Sequence, residues 1–189
     1  MKKLIILFMA ILLLAGCKPK EEIVVPEYPY EIQSTVVDMS EYEGVKSTNH
    51  NFRLIRVGEL FSCIDQGSSG IFYLGRTNCA CCQKVVRYLN ETAQELGVTV
   101  YYIDVYNKDE PLSDETLQNQ LREYMYEILG TDDEGEKVLL TPQVFSVVNG
   151  KFYDTLICFD GMTMDPNPTE EQISKLKDVY RRIMKPFAK

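Results

Sequence analysis

The sequence predicts one α/β domain, a mixed central sheet with helices on both faces. Three observations predict it. From Phe52 onward, apolar runs of strand length alternate with segments whose apolar residues recur every three to four positions, in the order β-α-β-α-β-α-β-β-α. A helix between two strands implies a parallel pair, whereas Asn149-Gly150, a strong short hairpin signal, implies an antiparallel one. The chain has 189 residues, 45% hydrophobic and 25% charged, which suits a single core that needs no covalent staples.

The elements follow in order. Residues 32–39 read as an edge strand and residues 52–57 as a short strand. A short helix over 58–66 carries Leu60, Phe61 and Ile64 on one side and stops at Gly67. After the turn at 67–70, Ile71-Phe72-Tyr73-Leu74 is a continuous apolar run, the mark of a buried central strand. The loop Gly75-Arg76-Thr77-Asn78 leads to Cys79-Ala80-Cys81-Cys82. Val85, Leu89, Ala93 and Leu96 then give a helical stripe that Gly97 closes. Residues 98–105 form a second strong β run. Ser113 caps the next helix, whose stripe is Leu117, Leu121, Met125 and Ile128, with Gly130 as its stop. Residues 132–137 are a charged loop, and 138–141 run into Pro142. Strands at 144–148 and 151–157 flank the Asn-Gly turn. Thr169 and Gln172 form a capping box for the last helix, with Ile173, Leu176, Val179, Tyr180 and Ile183 as its stripe and Pro186 as its end.

The first sixteen residues are unlike the rest: thirteen are apolar and the only charges are Lys2 and Lys3. The eleven-residue stretch from Leu4 to Leu14 is too short for a bilayer span, which takes about 20 residues, but suits a secretory signal. It runs into Leu14-Ala15-Gly16-Cys17, which resembles the lipobox of bacterial lipoproteins. In that family the chain is cut before the Cys, whose sulfur carries a diacylglycerol thioether. The resemblance implies a leader at 1–16, lipidation of Cys17, and a chain held on the extracytoplasmic face of the cell membrane, where disulfides are permitted. An ordinary cleaved signal with a chance Cys is the plainer alternative. Residues 17–48, which include Pro19, Pro26 and Pro29, read as the lipidated Cys and a tether, and 49–189 as the domain. Without Lys2 and Lys3 the net charge moves from −8 to −10. An acidic chain argues against nucleic acid as a partner, because phosphate contacts need Lys and Arg.

The chemistry concentrates at Cys79-Ala80-Cys81-Cys82. Two cysteines three apart at a helix start can close a small disulfide. The Cys79 sulfur lies at the helix N-terminus, where unpaired amides and the helix dipole stabilise a thiolate. Arg76 and Lys84 add positive charge nearby, so Arg76 is expected to tune this thiol. Cys79 is therefore the attacking group, and Cys82, one turn into the helix and more buried, resolves the mixed disulfide. In this reading Cys79 faces outward and Cys81 points away from the groove. The chemistry calls for no cofactor and no metal ion.

Strand, C-x-x-C, helix, Thr141-Pro142, hairpin and final helix together resemble the thioredoxin superfamily over roughly residues 52–185. Within it, the stretch from Tyr73 to Cys82 looks most like bacteriocin transport accessory proteins and related thioredoxin-like lipoproteins. The resemblance implies a thioredoxin-like fold in which Pro142 is cis and faces the active-site disulfide, with Thr141 hydrogen-bonding the substrate backbone. It implies protein or peptide disulfides as substrates and a redox partner protein. The chain departs from the superfamily in carrying Tyr73 where a buried Asp is usual, Asn78 where Trp is usual, and Ala80-Cys81 between the cysteines. The 60-residue gap from Cys82 to Pro142 is also long, and the excess is assigned to a helical insertion at about 107–135, a lid or binding surface.

Other readings stay open. A zinc site would need four ligands, and the only histidine, His50, lies about thirty residues from the cysteine cluster. Cys63 reads as a core thiol. Cys158, at the end of the hairpin, is a candidate for substrate contact, and Cys81 for modulation of the exchange. Met162 and Met164 resemble copper-binding pairs but suit packing as well. The competing function is a non-catalytic thioredoxin-fold module that handles metal ions or peptides.

Overall fold

A computed structural model describes residues 30–107, 114–157 and 168–188. Its strands are β1 (Thr35–Val36), β2 (Phe52–Leu54), β3 (Gly70–Gly75), β4 (Val100–Asp104), β5 (Gly130–Thr131), β6 (Lys137–Val138), β7 (Gln143–Val148) and β8 (Lys151–Ile157). The helices are α1 (Val57–Asp65), α2 (Ala80–Leu96), α3 (Glu115–Tyr124) and α4 (Glu170–Met184). Six strands form one sheet in the order β1-β2-β4-β3-β7-β8. β2, β4 and β3 run parallel, and β3-β7, β7-β8 and β1-β2 are antiparallel. The predicted mixed sheet is thus present.

β3 lies between β4 and β7, and all six of its residues are buried. Its alternation sends Ile71 and Tyr73 to one face and Phe72 and Leu74 to the other. The first face is covered by α2 and α4, through Val85, Leu89, Ala93, Leu176, Tyr180 and Ile183. The second is covered by α1 and α3, through Leu60, Cys63, Leu121 and Met125. The predicted stripes of α2 and α4 bury as expected. Gly97 closes α2 in the left-handed region, and the Thr169–Gln172 capping box opens α4.

The hairpin turn is held from outside. Asn149 and Gly150 both have positive φ, as a two-residue turn of this kind requires. The Gly150 amide donates to the Ser68 carbonyl at 2.8 Å, and the Asn149 amide to Ser69 Oγ at 2.9 Å. A β-carbon at 150 would run into the Ile64 carbonyl oxygen and lie 3.0 Å from Gly67 Cα.

Several boundaries differ from the sequence reading: α3 ends at Tyr124 rather than at Gly130, which begins β5, and Ile128 lies in a separate turn of 3-10 helix. The tether does not extend to residue 48: Ile32, Met39, Tyr42 and Val45 are all buried in the domain. Their irregular spacing carries no helical or strand period, which is why they read as linker. The edge strand shrinks to two residues, with Val36 77% exposed. The segment read as a lid instead closes the second face of the sheet with α3. Asp114, not Ser113, caps α3, its carboxylate accepting from the Leu117 amide at 3.0 Å, and Ser113 lies outside the described residues. The predicted charged loop at 132–137 sits between the paired strands β5 and β6, because Asp132 Oδ1 accepts the amides of Glu134 and Glu136 at 3.1 and 2.8 Å.

Candidate active site

The site forms where β3 ends. Gly75 closes that strand, residues 76–78 make the loop, and Cys79 is the N-cap of α2. Its Sγ accepts the Cys82 amide at 3.3 Å, so the sulfur occupies the position where a helix start offers unpaired N–H groups. The antiparallel register pairs Leu74 with Gln143, which sets residues 141–142 beside the end of β3. The Thr141-Pro142 bond is cis, as expected. The Thr141 carbonyl accepts the Cys79 thiol at 3.7 Å, and the Thr141 hydroxyl can donate back to the sulfur at 4.0 Å. Thr141 thus offers an acceptor to the thiol and a donor to the thiolate.

Cys63, Cys79, Cys81 and Cys82 are all free thiols. Burial works to raise the Cys79 pKa, but the Cys82 thiol and amide, the Thr141 hydroxyl and the Cys81 amide all favour its anion, and the net result is below the ordinary thiol value. Burial pushes Cys82 well up, and so does its role as donor to Cys79, while the Arg76 amide and the Tyr73 hydroxyl pull the other way. The two thiols therefore share protons unequally: Cys79 ionises first, and the proton retained on Cys82 stabilises it. Cys81 is raised by burial and by its closeness to Cys79.

Cys79 does not face outward. It is only 8% exposed, with Thr141 against its sulfur, and Cys81 is the more open of the two. Arg76 directs its guanidinium elsewhere: Nη1 donates to the Tyr106 hydroxyl at 2.7 Å, and its carbon lies 5.2 Å from that ring's centre. The groups that favour the Cys79 anion are thus local thiol, amide and hydroxyl donors, and the Arg76 contribution closest to the chemistry is its backbone amide, directed at Cys82. Cys63 lies on the other face of the sheet, fully buried, its thiol pushed up to about 12 by burial. His50 is occupied by backbone groups of Val37, Ser47 and Phe52. Cys17, Cys158, Met162 and Met164 lie outside the described residues. Among the described residues, no three His, Cys, Asp or Glu side chains are grouped to hold a metal ion.

Behind Cys82 lies a feature the sequence reading did not assemble. Tyr73 and Tyr102 are register partners on adjacent parallel strands, and their rings stack at 5.4 Å between centres. Tyr42 meets them edge-on at 6.3 and 6.1 Å. The Tyr42 and Tyr102 hydroxyls pair at 3.0 Å, whereas the buried Tyr73 hydroxyl has no partner at hydrogen-bond length. The Tyr73 ring leans over Gly75, where a β-carbon would collide with it. Tyr42 is held in place through Gln83 of α2, which accepts the Glu43 amide at 2.8 Å and donates to the Glu41 carbonyl at 3.0 Å. The available signal was the chain's twelve tyrosines and no tryptophan, but composition alone does not say which of them meet.

No family model matches the chain, and no curated protein matches its sequence. Solved structures similar to it include thioredoxin O2 from Arabidopsis thaliana in the oxidised state, at 16% identity and a TM-score of 0.43, covering 74% of this chain and 96% of that one. Plasmodium falciparum thioredoxin is similar at 18% identity and a TM-score of 0.41, covering 68% and 96%. Reduced thioredoxin preprotein from Schistosoma mansoni is similar at 16% identity and a TM-score of 0.40, covering 69% and 97%. The fold of this chain is thioredoxin-like on its own topology: two parallel β-α-β crossovers, an antiparallel hairpin, a closing helix, and a cis proline beside a helix-capping C-x-x-C.

Proposed function

We propose that the protein is a thiol–disulfide oxidoreductase anchored to the membrane through lipidated Cys17, acting outside the cytoplasm on secreted proteins or peptides. The observation that carries the exchange chemistry is the unequal dithiol at the start of α2. The Cys79 thiol is brought below its ordinary pKa within 3.7 Å of the Thr141 carbonyl, and Cys82 is held protonated one turn behind it.

The Cys79 thiolate attacks one sulfur of a substrate disulfide. A Cys79–substrate bond forms, the substrate S–S bond breaks, and the other substrate sulfur leaves with the electron pair and takes up a proton. Cys82 then attacks Cys79 Sγ, releasing the second substrate thiol and leaving a Cys79–Cys82 disulfide. The substrate gains two electrons and the protein loses two, and a redox partner protein returns them. Run backward, the same steps oxidise a dithiol. Thr141, next to the cis bond, supplies the backbone edge on which a substrate strand docks, and the likeness to bacteriocin transport accessory proteins and thioredoxin-like lipoproteins fits peptides as cargo.

The test is a trap. Cys82→Ser in the native host leaves Cys79 bound covalently to its substrates, which can be identified, and Cys79→Ser captures none. Lipid attachment is read separately: Cys17→Ser loses the added mass and retention at the membrane. The alternative, a module that binds metal ions or peptides without turnover, draws on Tyr73 standing where a buried acid is usual. It requires the reduced protein to hold copper or zinc tightly and to leave insulin disulfides intact.

A further inference from the structure

Tyr73 is fully buried on the face of the sheet that carries the dithiol, and its hydroxyl is without a hydrogen-bond partner. An unpaired buried hydroxyl is costly, and this one is held in place by several features. Stacking on Tyr102 and the edge of Tyr42 fix the ring, and Gly75 leaves the space it occupies. Tyr42 and Tyr102 pair with each other, whereas the Tyr73 hydroxyl makes no such bond and its proton is not engaged. Tyr73 and Cys82 lie in the same buried cluster, and the titratable neighbours of the Tyr73 hydroxyl are Tyr42 and the Cys82 thiol.

We propose that Tyr73 assists the resolving step by donating a hydrogen bond to the Cys82 sulfur as it becomes a thiolate. The inference deepens the thiol–disulfide reading and rests on it. In this step the Cys82–Cys79 bond forms, the Cys79–substrate bond breaks, and the electron pair leaves on the substrate sulfur. The proton lost by Cys82 ends on that departing sulfur. Tyr73 takes no net proton: burial holds its own ionisation far above neutral pH, so it acts as a donor and not as a base. A base at this place would remove the proton from Cys82, whereas a phenol stabilises the anion that remains. The need for it is local, because burial opposes a Cys82 thiolate more than any other influence does.

The groups facing Cys82 are Cys79 from its own helix, Tyr73 and Tyr102 from β3 and β4, Tyr42 from the segment before β2, Tyr180 from α4 and, beyond Tyr102, Asp104. The four tyrosines stay protonated through burial. Once Cys79 is tied up in a mixed disulfide, the pH profile of resolution between about pH 6 and 10 therefore reports Cys82.

The test needs no natural substrate. The full chain in detergent, with Cys17, Cys81 and Cys158 replaced by Ser, is mixed with 5,5′-dithiobis(2-nitrobenzoate). The first thionitrobenzoate released reports attack by Cys79 and the second reports resolution by Cys82. Tyr73→Phe should leave the first phase within about twofold and slow the second about tenfold or more, the scale of one hydrogen bond to a charged group, with its pH profile moved upward. Tyr102→Phe removes a hydroxyl from the same cluster and should leave the second phase within about threefold. A second phase unchanged by Tyr73→Phe overturns the proposal and leaves the exchange reading standing. Equal slowing by both variants assigns the effect to packing and also overturns it. Absence of any first phase in the parent overturns the exchange reading and the proposal together.

Discussion

Cys63 and Cys82 make a natural comparison across the sheet. Both are fully buried, both sit on helices, and burial raises the pKa of both. Cys63 lies within α1 among Leu60, Phe72, Ile103 and Phe145. Cys82 lies in the first turn of α2, beside a second thiol, a backbone amide and a tyrosine hydroxyl. Burial alone therefore does not tell the two thiols apart. The difference lies in what surrounds them: hydrocarbon and one serine hydroxyl, Ser68, around Cys63, and a second thiol, a backbone amide and a tyrosine hydroxyl around Cys82.

The sharpest way to break that comparison is to remove one sulfur at a time. Cys79→Ser should reduce disulfide exchange about a thousandfold or more, because serine is no substitute for a thiolate nucleophile. Cys63→Ala should leave the exchange rate unchanged in the same insulin-reduction assay. A truncation on the hydrocarbon face should act on stability and not on chemistry. Phe72→Ala is expected to cost about 3–5 kcal/mol in urea unfolding, yet wherever the variant is folded its thiols should alkylate in the parent's order.

Alkaline titration sharpens the comparison further. An unfolded thiol ionises near pH 8.5, whereas Cys63 stays neutral in the fold up to about 12. The unfolded state then binds fewer protons, so the Cys63 contribution is fully present below about pH 8.5 and declines above it, at about 1.4 kcal/mol per pH unit. Cys63→Ala should flatten part of that decline in urea midpoints measured from pH 7 to 10. A decline unchanged by the substitution would show that the thiol does not resist ionisation.

The smallest effects concern which thiol reacts first. Brief iodoacetamide treatment at pH 6 should label Cys79 ahead of Cys81, Cys82 and Cys63, although Cys81 is the more exposed of the first pair. Thr141→Val removes a donor to the thiolate and should slow Cys79 labelling a few-fold. Arg76→Ala should change it by less than about twofold, since the guanidinium is directed at the exposed Tyr106 and not at the sulfur. Labelling of Cys81 first would show that Cys79 is not the most reactive thiol.

These contrasts also mark what the sequence made legible. The stripes of α2 and α4, the glycine stops at Gly67 and Gly97, the capping box and the Asn-Gly turn are local signals that hold, whereas α3 ends at Tyr124, short of Gly130. The C-x-x-C and the X-Pro pair were found because each is a short pattern with a mechanism. The tyrosine cluster was not found, because Tyr42, Tyr73 and Tyr102 lie on three elements and meet only when β3 and β4 take their register. The buried segment at 30–48 escaped for the same reason: its apolar residues answer to a surface made by other elements. Arg76 shows the limit from another side, since sequence proximity to Cys79 could not say that its guanidinium turns to Tyr106.

The turn at Gly150 has a mechanical consequence. β7 runs six residues from Gln143 to Val148, roughly 20 Å of strand. One end is bolted by the turn to Ser68 and Ser69, and the other carries the proline that borders the Cys79 sulfur. The strand acts as a strut whose length fixes how far Thr141 reaches toward the thiol. A methyl group at position 150 has backbone in its way, so the turn must shift to admit it, and β7 links that turn to Pro142. The thiol should therefore respond to a turn at the other end of β7, and a screen for altered exchange should find variants there as well as around the cysteines.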